Sequence, residues 1–267
     1  MPIHTGFADV NGTRLYYELA GAGHPLVLIH GFTLDIRLWD DQFEVFAQGY
    51  QVLRYDLRGF GKSAVPTDAP YSHPADLHAL LTHLGIDHAH LIGLSMGGGI
   101  AIDFAVMDPH RTAALIPVDA ALLGGYAWTK DAHWDRLFAL AKAPEAGLQA
   151  AKTFWLQHPF FVPACEQPAV AARLAAMVAA YSGWHLLHTD PAQGLNPPAI
   201  QRLGTITAPT LVIVGERDVV DFQRIAEILV RSIPGAKKVV MPGVGHMANM
   251  EDPAQFNTLV LAFLADT

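Results

Sequence analysis

The stretch Leu91-Ile92-Gly93-Leu94-Ser95-Met96-Gly97-Gly98-Gly99 constrains the chain more than any other. Two apolar residues lead into Gly-x-Ser-x-Gly, and a second apolar run, Ile100 to Val106, follows at once. A strand that passes straight into a helix through such a turn holds a serine hydroxyl clear of the backbone, the layout of a nucleophile elbow. Gly93 and Gly97 flank the turn where a Cβ would collide with the neighbouring strand or helix, and glycine tolerates strained dihedrals. Five residues alone are only suggestive. Their weight depends on whether the chain supplies partners in the right order and on the right elements.

The surroundings alternate between strand and helix. Phe7 to Val10, Asn11-Gly12 and Thr13 to Leu19 read as a hairpin with an Asn-Gly turn. Apolar strands are expected at Leu26 to Ile29, Gln51 to Tyr55, up to Leu94, and at Ala113 to Val118. Between them lie helices from about Asp35 to Ala47 and from His73 to Leu84, with Leu77, Leu80, Leu81 and Leu84 at core spacing. From about Ala121 to Thr205 the alternation stops: no strong strand signal appears, and alanine-rich helical stretches are broken by prolines. It resumes with Thr210 to Val214, a helix from Asp221 to Ile233, a strand from Lys237 to Met241 and a helix from Pro253 to Leu264. Continuous apolar strands alternating with helices predict a parallel sheet covered on both faces, with the hairpin as an antiparallel edge. The expected division is a core of residues 1–120 and 206–267 and a helical insertion over 121–205.

A serine hydroxyl needs a positioned base, and the base needs a third group to fix its tautomer. His246, in the loop Pro242-Gly243-Val244-Gly245-His246-Met247 after the last strand, stands at the end of the sheet where the elbow emerges. Asp218, in Gly215-Glu216-Arg217-Asp218 after the preceding strand, is the candidate acid. Asp119, just after Val118, is its rival, and Asp221 reads as a helix N-cap. An oxyanion requires preorganised donors. The N–H of Met96 and that of Phe32, in His30-Gly31-Phe32, fit, while His30 itself reads as a structural hydrogen-bonding group.

Taken together, His30-Gly31-Phe32, Asp56-x-Arg58-Gly59-x-Gly61-x-Ser63, Gly93-x-Ser95-x-Gly97-Gly98, Gly215-x-x-Asp218 and Gly245-His246 resemble the α/β-hydrolase superfamily over essentially the whole chain. The resemblance implies an eight-stranded, mostly parallel sheet with helices on both faces and a helical cap inserted after the sixth strand. It also implies a serine triad that needs no cofactor. It places Arg58 in a scaffold turn without a catalytic role. Serine at 95 departs from the related dehalogenases and epoxide hydrolases, which carry aspartate there. The expected activity is that of a serine esterase or lactonase on a small to medium, moderately hydrophobic substrate. Perhydrolase chemistry, carbon–carbon bond hydrolysis with the same triad, or a ligand-binding receptor on the same fold are the alternatives.

Composition narrows the partners. A formal net charge of −8 argues against nucleic acid, whose phosphates demand basic patches. The N-terminal residues show neither a basic nor an apolar signal region, and no apolar run approaches the ~18 residues that span a bilayer, so a cytoplasmic chain without membrane attachment is expected. A homo-oligomer remains open. The single cysteine, Cys165, excludes an internal disulfide and reads as a buried or semi-buried small apolar residue. His88-x-His90 lacks a third ligand of suitable spacing, so no metal site is assigned. Residues 121–205 hold four of the five tryptophans, of which Trp155 and Trp184, together with Met247, are candidates for the pocket wall. Lys130, Lys142, Lys152 and Arg173 read as solvated surface.

Overall fold

The computed structural model describes residues 2–267. Eight strands form one sheet: β1 (Ile3–Val10), β2 (Thr13–Ala20), β3 (His24–Ile29), β4 (Tyr50–Tyr55), β5 (Ala89–Leu94), β6 (Thr112–Val118), β7 (Leu211–Gly215) and β8 (Lys237–Met241). Their order is β1-β2-β4-β3-β5-β6-β7-β8. The hairpin β1–β2 is antiparallel and joins β4 antiparallel; every other pairing is parallel. Every residue of β5 is buried, as is every residue of β7. Helices on both faces account for this, and for the continuous apolar runs that replace an alternating pattern.

The core helices ahead of the insertion are α1 (Asp40–Phe46), α2 (His73–His83) and α3 (Met96–Met107). A single helix is expected over 35–47, but the chain there divides. A 3₁₀ turn, Ile36–Trp39, is capped by the Asp35 carboxylate on the Arg37 N–H, and α1 starts only afterwards. Between β6 and β7 lie α4 (Ala132–Ala141), α5 (Gly147–Trp155), α6 (Val162–Cys165), α7 (Pro168–Ala180) and α8 (Trp184–Leu187), with no named strand. Then come α9 (Val220–Ser232), α10 (Ala248–Glu251) and α11 (Pro253–Ala265). The short α10 has no counterpart in the sequence reading.

Because β3, β5, β6, β7 and β8 run parallel, their carboxyl ends lie along one edge of the sheet. The loops carrying Phe32, Ser95, Asp119, Asp218 and His246 leave from those ends. No helix among the described residues is long and apolar enough to cross a membrane.

Candidate active site

Ser95 sits between β5 and α3 with φ +56° and ψ −116°, a conformation that costs a non-glycine residue about 1–3 kcal/mol. The surroundings hold it there. The Ser95 N–H donates to the Val118 carbonyl at 2.9 Å, and its own carbonyl accepts from Gly99 at 3.1 Å and Ala121 at 3.0 Å. A Cβ on Gly93 would strike the Gly97 carbonyl, and one on Gly97 would strike the Ile29 carbonyl of β3. Only glycine lets strand and helix close this tightly.

The Met96 N–H is the first of α3 and has no intrahelical acceptor. Neither it nor the Phe32 N–H donates to any acceptor among the described residues. The Phe32 loop is fixed from both sides. The Thr33 hydroxyl donates to the Phe32 carbonyl at 2.6 Å and accepts the indole N–H of Trp155 at 2.8 Å. Below it His30 is fully buried; its Nδ1–H donates to the Gly31 carbonyl and its Nε2 accepts the Leu57 N–H. Burial lowers this imidazole to about 4, so it is a neutral hydrogen-bonding strut.

His246 donates Nδ1–H to Asp218 Oδ2 at 2.8 Å, and both are buried. The other Asp218 oxygen accepts the Val219 N–H at 2.7 Å. The loop around the histidine is held by Glu251, which accepts from Gly245 at 2.7 Å and Met247 at 3.0 Å. Sequence reading missed Glu251, since its role depends on α10, which folds the carboxylate back under the loop.

Asp119 lies against this pair. Its Oδ1 accepts the Gly215 N–H at 2.8 Å, and Oδ2 is buried with no hydrogen-bond partner. Ligand-type atoms of Asp119, Asp218 and His246 all fall within 4.8 Å of one another. As cation donors these groups are largely committed: Asp218 to His246 and Val219, Asp119 Oδ1 to Gly215. Burial first, and then the Asp218 charge, push the Asp119 carboxyl well above the usual carboxylate range.

Ser95 and His246 open on one cavity of about 640 Å³, walled by aromatic side chains including Phe32, Trp128, Trp134, Trp155, Phe160 and Phe222. The Ser95 hydroxyl makes no hydrogen bond among the described residues and is free towards the cavity. Phe160 stacks on the His246 ring at 4.8 Å. His158 fixes Phe160 by accepting its N–H at 3.2 Å while donating Nε2–H to Asp131 at 2.8 Å. Burial holds His158 at about 4, again neutral.

Trp155 and Met247 line the cavity, but Trp184 does not. It stacks at 5.1 Å on His188, the C-cap of the short α8, away from the site. Asp221 is no N-cap: Val219 holds that position. Asp221 is buried in the first turn of α9 and accepts from Tyr126 Oη, Thr129 N–H and Thr129 Oγ1 at 2.8–3.0 Å, anchoring the start of the helical insertion. Cys165 is exposed rather than buried or semi-buried, because α6 turns it outward. Lys152 is buried, its ammonium donating to the Ala179 carbonyl at the end of α7. Arg173 pairs with Asp41 of α1, and Lys130 reaches the cavity wall, while Lys142 is exposed. Arg58 forms a buried bidentate pair with Asp76, at 2.7 and 2.9 Å, which agrees with a scaffold role. His24 joins His88 and His90 at the starts of β3 and β5, ring centroids 5.7 and 4.3 Å away. Their nitrogens do not converge on one point.

A family model described as "alpha/beta hydrolase fold" matches residues 24–253. A protein provisionally named carbamate hydrolase RutD, from Azorhizobium caulinodans, is 29% identical, covering 98% of this chain and 97% of that one. The enol-lactonase of Burkholderia xenovorans LB400 superposes with a TM-score of 0.80 at 25% identity, over 97% of this chain and all of that one. Est816, described as an N-acyl homoserine lactone degrading enzyme, gives 0.76 at 29% identity, over 97% and 100%.

Proposed function

We propose, since the chain belongs to the alpha/beta hydrolase fold family, that it hydrolyses a carboxylic ester or lactone through an acyl-serine intermediate. His246 takes the proton of the Ser95 hydroxyl through Nε2 as Oγ attacks the acyl carbon. The N–H groups of Phe32 and Met96 receive the oxyanion, and losing one such donor typically costs about 10²–10³ in rate. Collapse breaks the bond to the leaving oxygen, which takes the proton back from His246; in a lactone that alcohol stays tethered to the acyl group. Water then gives a proton to His246 and its oxygen to the acyl carbon; the second tetrahedral intermediate collapses by breaking the acyl–Oγ bond, and His246 returns the proton to Oγ, which releases the acid and restores Ser95. Throughout, Asp218 keeps Nδ1 protonated and balances the transient imidazolium.

The observation that carries this reading is the His246–Asp218 hydrogen bond at 2.8 Å beside a serine held at positive φ on the same cavity. The aromatic wall favours an acyl or alkyl group of moderate hydrophobicity over a charged one. The segment 121–205 acts in this scheme as a cap that selects the substrate. The lactone-cleaving neighbours favour including lactones. The test is turnover of esters of graded chain length and a set of lactones, with peroxide offered beside water as acyl acceptor. Ester or lactone turnover that vanishes in Ser95→Ala supports the proposal; turnover unchanged in that variant refutes it.

A further inference from the structure

Asp119 is the buried group that this mechanism does not use. Two carboxylates and an imidazole occupy one dry spot, and only one hydrogen bond joins them, that between Asp218 and His246. Asp218 spends one oxygen on His246 and the other on Val219. Asp119 spends Oδ1 on the Gly215 N–H, which leaves Oδ2 buried, next to a negative charge and without a donor. Two ionised carboxylates at this range, away from water, repel strongly, so one of the pair keeps a proton. Asp218 already takes the imidazole N–H, whereas Asp119 Oδ2 has no donor at all, so the proton is assigned to Asp119.

We propose that Asp119 is a positioning residue, a neutral carboxylic acid whose Oδ2–H donates to the Asp218 carboxylate and holds that acid in register with His246. The orphaned oxygen then has its partner, and the acid spans β6, β7 and the triad: its backbone N–H donates to the Ile213 carbonyl at 2.9 Å and Oδ1 accepts from Gly215. Its φ of +41°, costly for a non-glycine residue, aims the side chain there. Of the groups around it, burial together with the charges of Asp218 and Glu251 favours the neutral form, while the Gly215 hydrogen bond opposes it. The inference rests on the triad reading, so its test includes a readout that does not depend on turnover.

Asparagine keeps both hydrogen bonds, its oxygen for Gly215 and its N–H for Asp218. Alanine loses both. Infrared difference spectra of the full chain at about pH 8.5, where ordinary carboxyl groups are ionised, are expected to show a protonated-carboxyl C=O band in the wild type and none in Asp119→Asn. In kinetics, Asp119→Asn should keep kcat within about threefold and leave the acid limb of kcat/KM in place, while Asp119→Ala should lower kcat by about tenfold or more with little change in KM. If Asp119 were charged, Asp119→Asn would remove a negative charge from the site and displace that limb to lower pH. Absence of the band, or that displacement, overturns the proposal. Should Asp119→Ala fail to fold, the asparagine variant carries both readouts. Should Ser95 prove not to be the nucleophile, the infrared result still decides the protonation of Asp119.

Discussion

The indole N–H of Trp155 donates to the Thr33 hydroxyl at 2.8 Å, across 122 residues of sequence. This joins α5 of the helical insertion to the loop that carries Phe32, so a wall of the cavity also fixes the loop proposed to receive the oxyanion. Thr33 itself sits at φ +63°, a conformation the loop would leave if released. Trp155→Phe keeps an aromatic wall and removes the donor. It is expected to lower kcat by about five- to tenfold with a smaller change in KM, because the donor geometry matters most when the oxyanion forms. Steady-state kinetics on one ester check this; an unchanged kcat would mean that the loop holds itself.

Gly93→Ala places a methyl against the Gly97 carbonyl at the base of the elbow. Backbone, not a flexible side chain, must move. The expected loss of stability is about 3 kcal/mol or more, read by denaturant titration, and a loss below about 1 kcal/mol would show that the turn is slack.

Asp103, buried in α3, is raised by desolvation to about 7. The folded state therefore binds its proton more tightly than the unfolded state does. Stability from this group is complete below the unfolded value near 4 and falls as pH rises towards 7, by about 4 kcal/mol as an upper bound. Asp103→Asn is expected to raise Tm at pH 8 and to change it little at pH 4. Equal effects at both pH values would contradict the assignment.

Histidines work in the opposite direction. Burial holds His73 at about 3 and His30, His90, His158 and His185 at about 4 in the folded protein. The unfolded chain takes up those protons near pH 6.5, so stability from neutral imidazoles is present above that value and is lost progressively as pH falls from about 6.5 towards 4. Calorimetry should show Tm declining steeply over that window. A flat Tm down to pH 4.5 would show that these rings are wetter than their burial implies.

How much of this was legible depended on the range of the interaction. The strands and a parallel sheet with an antiparallel hairpin edge could be anticipated from apolar runs and their spacing, since each strand carries its signal locally, whereas the order β2-β4-β3-β5 could not. The elbow, the His246 loop and Asp218 were readable for the same reason: each follows directly from the end of one strand. What escaped were contacts that depend on how segments fold onto one another, whether distant in sequence or only a turn apart. Thr33 shows nothing in sequence that marks it as the acceptor for Trp155. Glu251 gains its role only because α10 folds it back under Gly245 and Met247. Trp184 and Trp155 look alike as residues of a helical insertion, and only the way α5 and α8 pack separates the one that reaches the cavity from the one that stacks on His188. Asp119 is visible as a carboxylate at a strand end, but only the fold shows that its Oδ1 is bound to Gly215 of β7 while Asp218 takes the hydrogen bond from His246.

In the proposed mechanism Ser95 carries the acyl group. Rapid quenching of the reaction with a slowly deacylating aryl ester, followed by peptide mass spectrometry, addresses it directly. The expected result is a burst of one phenol per chain, together with an acyl group on the peptide containing Ser95 that is lost in Ser95→Ala. Full turnover with that peptide unmodified, or with the acyl group on another residue, would contradict it.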